Sequence, residues 1–220
     1  MIAPNLISAS IPTLQLSDSG ERAMFLMHEV NLNQLPILDG EKYCGVITMD
    51  EIINLKKLDR PISELVVNIR QPKVMNTAHI FEVMKAAVEY NVRVVPVVDQ
   101  NQNYMGLITA ESCLRAFAKL NSVNHTGATI ELEIAQKDYQ LSDIAKIVEE
   151  NNADILCHYT KTNTEAGVVE VTLKLDTTEL APIVSAFERY NYEVKEVYNE
   201  IEYSEDMKER YDSFMRYLNV

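Results

Sequence analysis

Histidine and cysteine, the residues most often used for metal binding and nucleophilic catalysis, are scattered along this chain. Its four histidines and three cysteines include no His-x-x-x-His spacing and no Cys-x-x-Cys pair, so the sequence contains no metal-ligand motif. Cys157 and His158 are adjacent in a predicted strand, where they would point to opposite faces and could not form a simple catalytic dyad. Glycine-rich phosphate-binding loops are also missing. We therefore predict a protein that is not an enzyme and that requires no cofactor or metal.

Two Gly-x-x-Thr turns are the features with the clearest chemical potential. They run from Gly45 to Thr48 and from Gly106 to Thr109. A glycine permits a tight turn or the close approach of a ligand, and a threonine hydroxyl can both donate and accept hydrogen bonds. The same threonines could instead be the N-caps of the helices that follow. A ligand contact and a helix cap both remain open from the sequence.

These turns belong to a longer internal repeat. Ten residues between positions 12 and 48 recur about sixty positions later, and one inserted residue in the second copy shifts the later matches to sixty-one. The matching pairs are Pro12/Pro72, Met24/Met84, Glu29/Glu89, Asn31/Asn91, Pro36/Pro96, Asp39/Asp99, Tyr43/Tyr104, Gly45/Gly106, Ile47/Ile108 and Thr48/Thr109. Two copies are too few for a solenoid. They favour packing about a pseudo-twofold axis, with any ligand cleft between the halves.

Each copy has the pattern of a strand–helix–strand–strand–helix unit. Helical and strand periodicity in the first copy predicts a helix over Gly20–Val30, strands over Gln34–Leu38 and Tyr43–Ile47, and a helix from Asp50. In the second copy it predicts a helix from about His79, capped by Thr77, strands over Val92–Val98 and Tyr104–Ile108, and a helix from about Glu111. Pro36 and Pro96 are expected at strand starts, where proline is tolerated.

Residues 1–120 resemble a tandem pair of cystathionine-β-synthase (CBS) domains, or Bateman module, with repeats at about 1–58 and 59–120. The resemblance rests on the strand segments Gln34–Asp39 and Val94–Asp99 and on the two Gly-x-x-Thr turns; Pro61–Leu65 is similar to the family's lead-in segment. It implies a non-catalytic regulatory protein that binds AMP, ATP or another adenosine-containing ligand in the cleft between the repeats. The alternative is an interaction or oligomerisation protein with no nucleotide ligand.

The resemblance also implies which residues contact the ligand. The position three places after the threonine is usually Asp in the family, and its carboxylate would accept hydrogen bonds from ribose hydroxyls. In this chain the position is Glu51 in the first repeat and Ser112 in the second. Because an ionised carboxylate forms stronger bonds than a neutral hydroxyl, we expect the first site to bind more tightly. The full predicted ligand set is Thr13, Leu35, Pro36, Thr48, Glu51, Thr77, Val95, Pro96, Thr109 and Ser112. We expect Glu51→Ala to weaken binding while leaving the fold intact.

A cluster of basic residues lies between the repeats. It comprises Lys56, Lys57, Arg60, Arg70 and Lys73. These side chains could donate charge-assisted hydrogen bonds to phosphates if the linker runs beside the cleft. The simpler interpretation is a solvated basic surface.

The segment after residue 120 has a different pattern. A polar stretch at 121–127 predicts a linker, and periodicity over 128–200 predicts the ferredoxin-like order βαββαβ. This order resembles an ACT domain, and the combination is similar to acetoin-utilisation regulatory proteins of the AcuB type. The loop at 136–140 contains no glycine, which favours a packing or dimerisation role over an amino-acid site. Residues 201–220 show the spacing of a C-terminal amphipathic helix.

Charge and composition limit the partners. The net charge is −13, of which residues 1–120 carry −2 and residues 121–220 carry −11. An acidic half repels phosphates, so we expect no nucleic acid there, although a regulated protein partner fits. No apolar run approaches the roughly 20 residues that cross a bilayer, and the N-terminus does not resemble a signal peptide. The odd number of cysteines predicts reduced thiols in a cytoplasmic protein. We also expect a homodimer, because CBS pairs and ACT domains both tend to bury apolar faces against a second copy.

Overall fold

A computed structural model of the protein describes residues 2–8, 10–54, 58–65 and 69–199. The chain divides into two compact units, Met1–Phe117 and Ala118–Val220. Both are mixed assemblies of helices and strands, so the predicted α/β class is confirmed. The predicted helix at 201–220 lies outside the described residues. None of the described helices combines the length and the apolar character needed to cross a membrane.

The first unit contains two similarly built repeats. The first consists of β1 (Leu14–Gln15), α1 (Gly20–Glu29), β2 (Gln34–Asp39), β3 (Lys42–Thr48) and α2 (Met49–Asn54). After the short helix α3 (Ile62–Leu65), the second consists of β4 (Val74–Met75), α4 (Ile80–Glu89), β5 (Val94–Val98), β6 (Tyr104–Thr109) and α5 (Ala110–Leu120). Each repeat forms a three-stranded sheet, in which the middle strand is parallel to the short first strand and antiparallel to the third.

Recurring asparagines close the first helix of each repeat. Asn31 (φ 52°) and Asn91 (φ 51°) adopt the left-handed conformation one residue beyond the C-caps of α1 and α4. The amide of Leu32 then donates to the Met27 carbonyl and that of Val92 to the Ala87 carbonyl, which satisfies carbonyls at the helix end. Asparagine tolerates this conformation better than most residues with a side chain. The recurrence of Asn31 as Asn91 therefore has a backbone cause.

Pro36 and Pro96 lie in the middle of strands, so the prediction that they start strands is wrong. Pro36 is opposite Val46, whose amide donates to the Arg70 carbonyl at 2.9 Å, which makes Pro36–Val46 a non-hydrogen-bonded pair of the antiparallel ladder. On the other side of β2, β1 pairs only with Ile37 and Leu38. Proline consequently breaks no hydrogen bond of the sheet at this position.

The N-cap of α4 is His79 and not Thr77. The His79 side chain accepts a hydrogen bond from the Phe81 amide, and the Glu82 carboxylate accepts one from the His79 amide at 3.1 Å, which forms a capping box. Thr77 lies in the exposed turn before the helix. The prediction failed because histidine is a rarer cap than threonine.

The two repeats share an apolar interface of buried side chains. Leu38, Tyr43 and Val46 from the first repeat pack with Val94, Val98 and Leu107 from the second. The hairpin turns add reciprocal backbone bonds, because the Tyr43 amide donates to the Gln102 carbonyl (3.2 Å) and the Tyr104 amide to the Glu41 carbonyl (2.9 Å). Tyr43 and Tyr104 are a repeat pair, so these bonds have the pseudo-twofold relation that the repeat predicts.

The second unit has the predicted βαββαβ order. Its elements are β7 (Ala128–Ala135), α6 (Leu141–Glu150), β8 (Ile155–Asn163), β9 (Val168–Leu175), α7 (Ala181–Arg189) and β10 (Glu193–Asn199). The sheet order β10-β7-β9-β8, antiparallel throughout, is ferredoxin-like. Alternate residues of β7, including Ile130 and Leu132, pack in one core with α6 and α7. Helix α7 begins at Ala181, with Pro182 in its first turn and no side-chain cap.

Candidate functional site

A polar cleft of about 460 Å³ lies between the two repeats of the first unit. The first repeat contributes Asn33, Gln34, Thr48, Asp50, Glu51 and Asn54. The second repeat contributes Arg70 from its lead-in and Asn91, Val92 and Arg93 from the segment just before β5. Two predicted ligand residues, Thr48 and Glu51, thus meet in a cavity that neither repeat forms alone.

Thr48 and Glu51 form a reciprocal capping box at the start of α2. The Glu51 amide donates to Thr48 Oγ1 at 3.2 Å, while Glu51 Oε2 accepts from the Thr48 amide at 2.7 Å and from Thr48 Oγ1 at 2.8 Å. The capping interpretation of Thr48 is therefore confirmed. It does not remove the carboxylate from the cleft, because Glu51 remains 39% exposed.

Arg70 connects the cleft to both repeats. Its carbonyl accepts from the Val46 amide of β3, Nη2 lies 3.2 Å from Glu51 Oε1, and Nη1 donates to the Tyr90 carbonyl at the end of α4 at 3.4 Å. Among the described basic residues between the repeats, Arg70 lines this cleft. Lys73 instead donates to Gln102 Oε1, Arg60 pairs with Glu64, and Lys56 and Lys57 lie outside the described residues.

The second Gly-x-x-Thr turn forms a similar cap from neutral groups. The Ser112 amide donates to Thr109 Oγ1 at 3.0 Å, and Thr109 Oγ1 donates to Ser112 Oγ at 2.9 Å. Thr109 therefore caps α5 as Thr48 caps α2. The carboxylate of the first turn is replaced by a hydroxyl, so the two turns differ in charge but not in fold.

The glycines of both turns make room for protein and not for a ligand. A Cβ built on Gly45 would lie 1.9 Å from Ile69 Cγ2, and one on Gly106 would lie 2.3 Å from Ile7 Cγ2. Ile7 precedes the first repeat and packs in the core of the second, whereas Ile69 precedes the second repeat and packs in the core of the first. The lead-in segments thus cross to the opposite repeat, and the interpretation of these glycines as ligand contacts is replaced by this packing role.

The remaining predicted ligand residues are dispersed. Leu35 (0% exposed) and Val95 (1%) are core residues of their repeats. Pro36 and Pro96 are buried in the middle of β2 and β5. Thr13, half-buried just before β1, and the exposed Thr77 do not line the described cleft.

Sequence reasoning missed several residues that line the cleft. Asn91 was recognised only as a repeat position, and Arg93 and Asn33 occupy equivalent places just before β5 and β2. Gln34 Oε1 accepts from the Arg93 amide at 2.8 Å and holds these two segments together. The sequence could have indicated both residues, because Asn33 and Arg93 are equivalent positions of the repeat. Each precedes the central strand of its repeat, and the two segments meet in the cleft.

The charges of the cleft balance within its lining. Two arginines, Arg70 and Arg93, and two acidic residues, Asp50 and Glu51, line the cleft, and Arg70 pairs with Glu51. Over the described ranges, no cluster of three or more His, Cys, Asp or Glu residues could hold a metal ion. Such a lining can receive a ligand that presents both an anionic group and neutral hydroxyls or amides.

The first unit is a pair of CBS domains, and the prediction of a tandem pair is confirmed. Residues 5–57 and 62–119 match the CBS domain model, so the chain belongs to this family. A homoserine O-acetyltransferase from Methanococcus vannielii is 28% identical over 116 residues, which cover 50% of this chain. That match covers 24% of the relative, so the chain matches about a quarter of its length.

Solved structures with some similarity cover about half of the chain. One is a CBS domain pair/ACT domain protein from Thermotoga maritima, with 18% identity, a TM-score of 0.49, and coverage of 54% of this chain and 98% of that one. Another is CBSX2 in complex with AMP, with 18% identity, a TM-score of 0.48, and coverage of 54% and 96%.

Proposed function

We propose that the protein is a non-catalytic regulatory protein that binds an adenine nucleotide, or a related adenosine-containing ligand, in the cleft beside Thr48 and Glu51. The observation that carries this proposal is the cleft itself, which is lined by the first capping box and by two arginines from the second repeat. Membership of the CBS family supports a sensing role for such a cleft.

The dimensions and chemistry of the cleft suit a nucleotide. Its volume of about 460 Å³ lies within the roughly 300–1,000 Å³ typical of small-molecule sites. Arginine guanidinium groups recognise phosphates through paired hydrogen bonds. The Glu51 carboxylate accepts three hydrogen bonds, from the Thr48 amide, the Thr48 hydroxyl and Arg70. Because a carboxylate offers about four acceptor positions, one is left for a ribose hydroxyl.

Calorimetric titration of the full chain with AMP, ATP, NAD and S-adenosylmethionine tests the proposal. We expect at least one of these ligands to bind, and Thr48→Val and Thr109→Val form a matched pair of variants. Thr48→Val should weaken binding more, because Thr48 lines the cleft. If no ligand gives heat or changes the unfolding temperature, the nucleotide function is rejected.

The alternative function is an interaction or oligomerisation protein without a nucleotide. It is favoured by large apolar side chains exposed on the helices of the first unit. These are Phe25 (60%), Ile53 (51%), Phe81 (63%), Val88 (81%) and Leu114 (68%). Such surfaces commonly contact another protein. A flat titration series together with a stable self-associated state would support this alternative.

We propose that the working form is a cytoplasmic homodimer in which the ferredoxin-like, ACT-like unit helps association. The exposed apolar side chains and the free thiols of Cys44, Cys113 and Cys157 are compatible with this proposal. The likeness to AcuB-type regulators belongs to the same proposal. Sedimentation equilibrium at micromolar concentration tests it, and a stable monomer would contradict it.

A further inference from the structure

We infer that Arg70 is the residue that selects phosphate-bearing ligands in the cleft, and that Glu51 competes with the ligand for the Arg70 guanidinium. This inference rests on the proposed nucleotide function and names the regulation of that site. Nη2 of the guanidinium lies 3.2 Å from Glu51 Oε1. A phosphate entering the cleft would replace this carboxylate as its partner.

The side chain of Arg70 is able to change partners without disturbing the fold. Its backbone is fixed independently, since its carbonyl accepts from the Val46 amide at 2.9 Å. The side chain is 43% exposed, and its second contact, with the Tyr90 carbonyl, is long at 3.4 Å. Exposed ion pairs of this kind are weak, so a phosphate can compete with Glu51.

The exchange also prepares Glu51 for the neutral part of the ligand. Its Oε2 atom stays bonded to the amide and hydroxyl of Thr48, which keeps the carboxylate in place. Its Oε1 atom, which accepts from Arg70, becomes available to a ribose hydroxyl once Arg70 turns to the phosphate. One ligand that carries both groups therefore satisfies both side chains at once.

The second repeat lacks both partners of this exchange. Ser8 pairs with Leu107 of β6 as Arg70 pairs with Val46 of β3, so Ser8 occupies the place equivalent to Arg70. Ser112 occupies the place equivalent to Glu51. With neutral hydroxyls at both places, the second turn has no competing ion pair, and the selection for phosphate is confined to the first cleft.

The ratio of AMP affinity to adenosine affinity measures this selection directly. Arg70→Gln should lower the ratio about tenfold or more, since a charged hydrogen bond contributes about 1.4 kcal/mol or more. Glu51→Gln should raise the ratio, because Gln retains the capping box but no longer holds Arg70 by charge. Arg22→Gln removes an arginine from another exposed pair, with Asp18, and should leave the ratio unchanged.

Calorimetry with AMP and adenosine on the wild-type chain and these three variants provides the test. An unchanged ratio in Arg70→Gln, with both ligands still bound, overturns the inference and leaves the nucleotide function standing. A ratio in Glu51→Gln that is equal to or below the wild-type value also overturns it, even if Arg70→Gln fails to fold. If the wild-type chain binds neither compound nor any other adenosine-containing ligand, the proposed function and the inference fail together.

Discussion

Gly106 lies in direct contact with Ile7, which comes from the opposite end of the first unit. A Cβ on Gly106 would approach Ile7 Cγ2 to 2.3 Å, a distance shorter than any real Cβ contact. The contact exists because the lead-in to the first repeat crosses to the core of the second, where Ile7 packs. Gly45 and Ile69 repeat this arrangement in the other direction. Each turn therefore needs a glycine, because a side chain there would collide with the lead-in segment that crosses from the other repeat.

We predict that Gly106→Ala destabilises the protein and that Ile7→Ala partly restores its stability. Overpacking of a well-filled core costs about 1–3 kcal/mol, and the side chain of Ile7 is the group that the new methyl meets. Urea unfolding of the two single variants and the double variant measures their coupling. Additive effects in this cycle would contradict the proposed contact.

Gly45→Ala should respond differently to the matching Ile69→Ala change. A Cβ on Gly45 would also lie 2.8 Å from the Arg70 carbonyl oxygen, which is backbone and cannot be trimmed. We therefore expect Ile69→Ala to restore a smaller fraction of the stability lost in Gly45→Ala than Ile7→Ala restores in Gly106→Ala. Equal rescue in the two cycles would show that the backbone clash is relieved by movement.

Glu51→Ala should lower stability as well as ligand affinity. The sequence predicts that this change leaves the fold intact, but Glu51 also completes a capping box and contacts Arg70, so its loss has a cost in stability. Loss of a cap typically costs about 0.5–2 kcal/mol. Glu51→Gln keeps the acceptor for the Thr48 amide and should unfold at nearly the wild-type temperature. Thermal unfolding without ligand measures both, and equal stability of the two variants would contradict the capping role.

The fold of each repeat could be predicted because its signals are local. Helices, strands and the recurrence of Asn31 as Asn91 follow from periodicity and backbone conformation within one copy. The full set of residues that line the cleft could not be predicted from one copy, because Glu51 is brought near Arg70 and Arg93 only by packing of one repeat on the other. The roles of Gly45 and Gly106 were hidden for the same reason. Their steric partners are distant in sequence and lie in segments that cross between repeats.

Tyr43 should make the protein less stable above pH 10. Burial, together with the nearby Tyr104, raises the pKa of Tyr43 well above its usual value of 10, and its hydroxyl donates to the Pro72 carbonyl at 2.7 Å. A pKa that is higher in the folded state contributes stability that is present below pH 10 and is lost as the pH rises above it. One such group adds a slope of about 1.4 kcal/mol per pH unit.

Tyr43→Phe should flatten this alkaline loss while costing about 1 kcal/mol at neutral pH, where the hydrogen bond to Pro72 is intact. Urea unfolding at pH 8, 9.5, 10.5 and 11 measures both effects. Burial also raises the pKa of Tyr104, so Tyr104→Phe should flatten the same curve. A wild-type slope in both variants would contradict the assignment of the alkaline loss to these tyrosines.

The solvent-facing side of the second unit places two neighbouring glutamates between two lysines. Glu133 of β7 lies directly opposite Glu170 of β9, and like charges in this arrangement repel. Lys195 of β10 pairs with Glu133, and Lys161 of β8 pairs with Glu170 at 3.1 Å. Each lysine offsets part of the repulsion between the two carboxylates. The paired row therefore reads Lys161, Glu170, Glu133 and Glu193 across the four strands. Lys195 lies at the register shift of β10 and reaches Glu133 from beside this row.

Lys195→Met should destabilise the second unit at low ionic strength, because it leaves Glu133 facing Glu170 with one fewer cation. Added salt should reduce the loss, since exposed charges are screened. Adding Glu133→Gln to Lys195→Met removes the repulsion and should restore most of the stability. Urea unfolding at 20 mM and 500 mM NaCl tests the single and double variants. A loss that is independent of salt, or that persists in the double variant, would assign the effect to the packing of the Lys195 side chain instead.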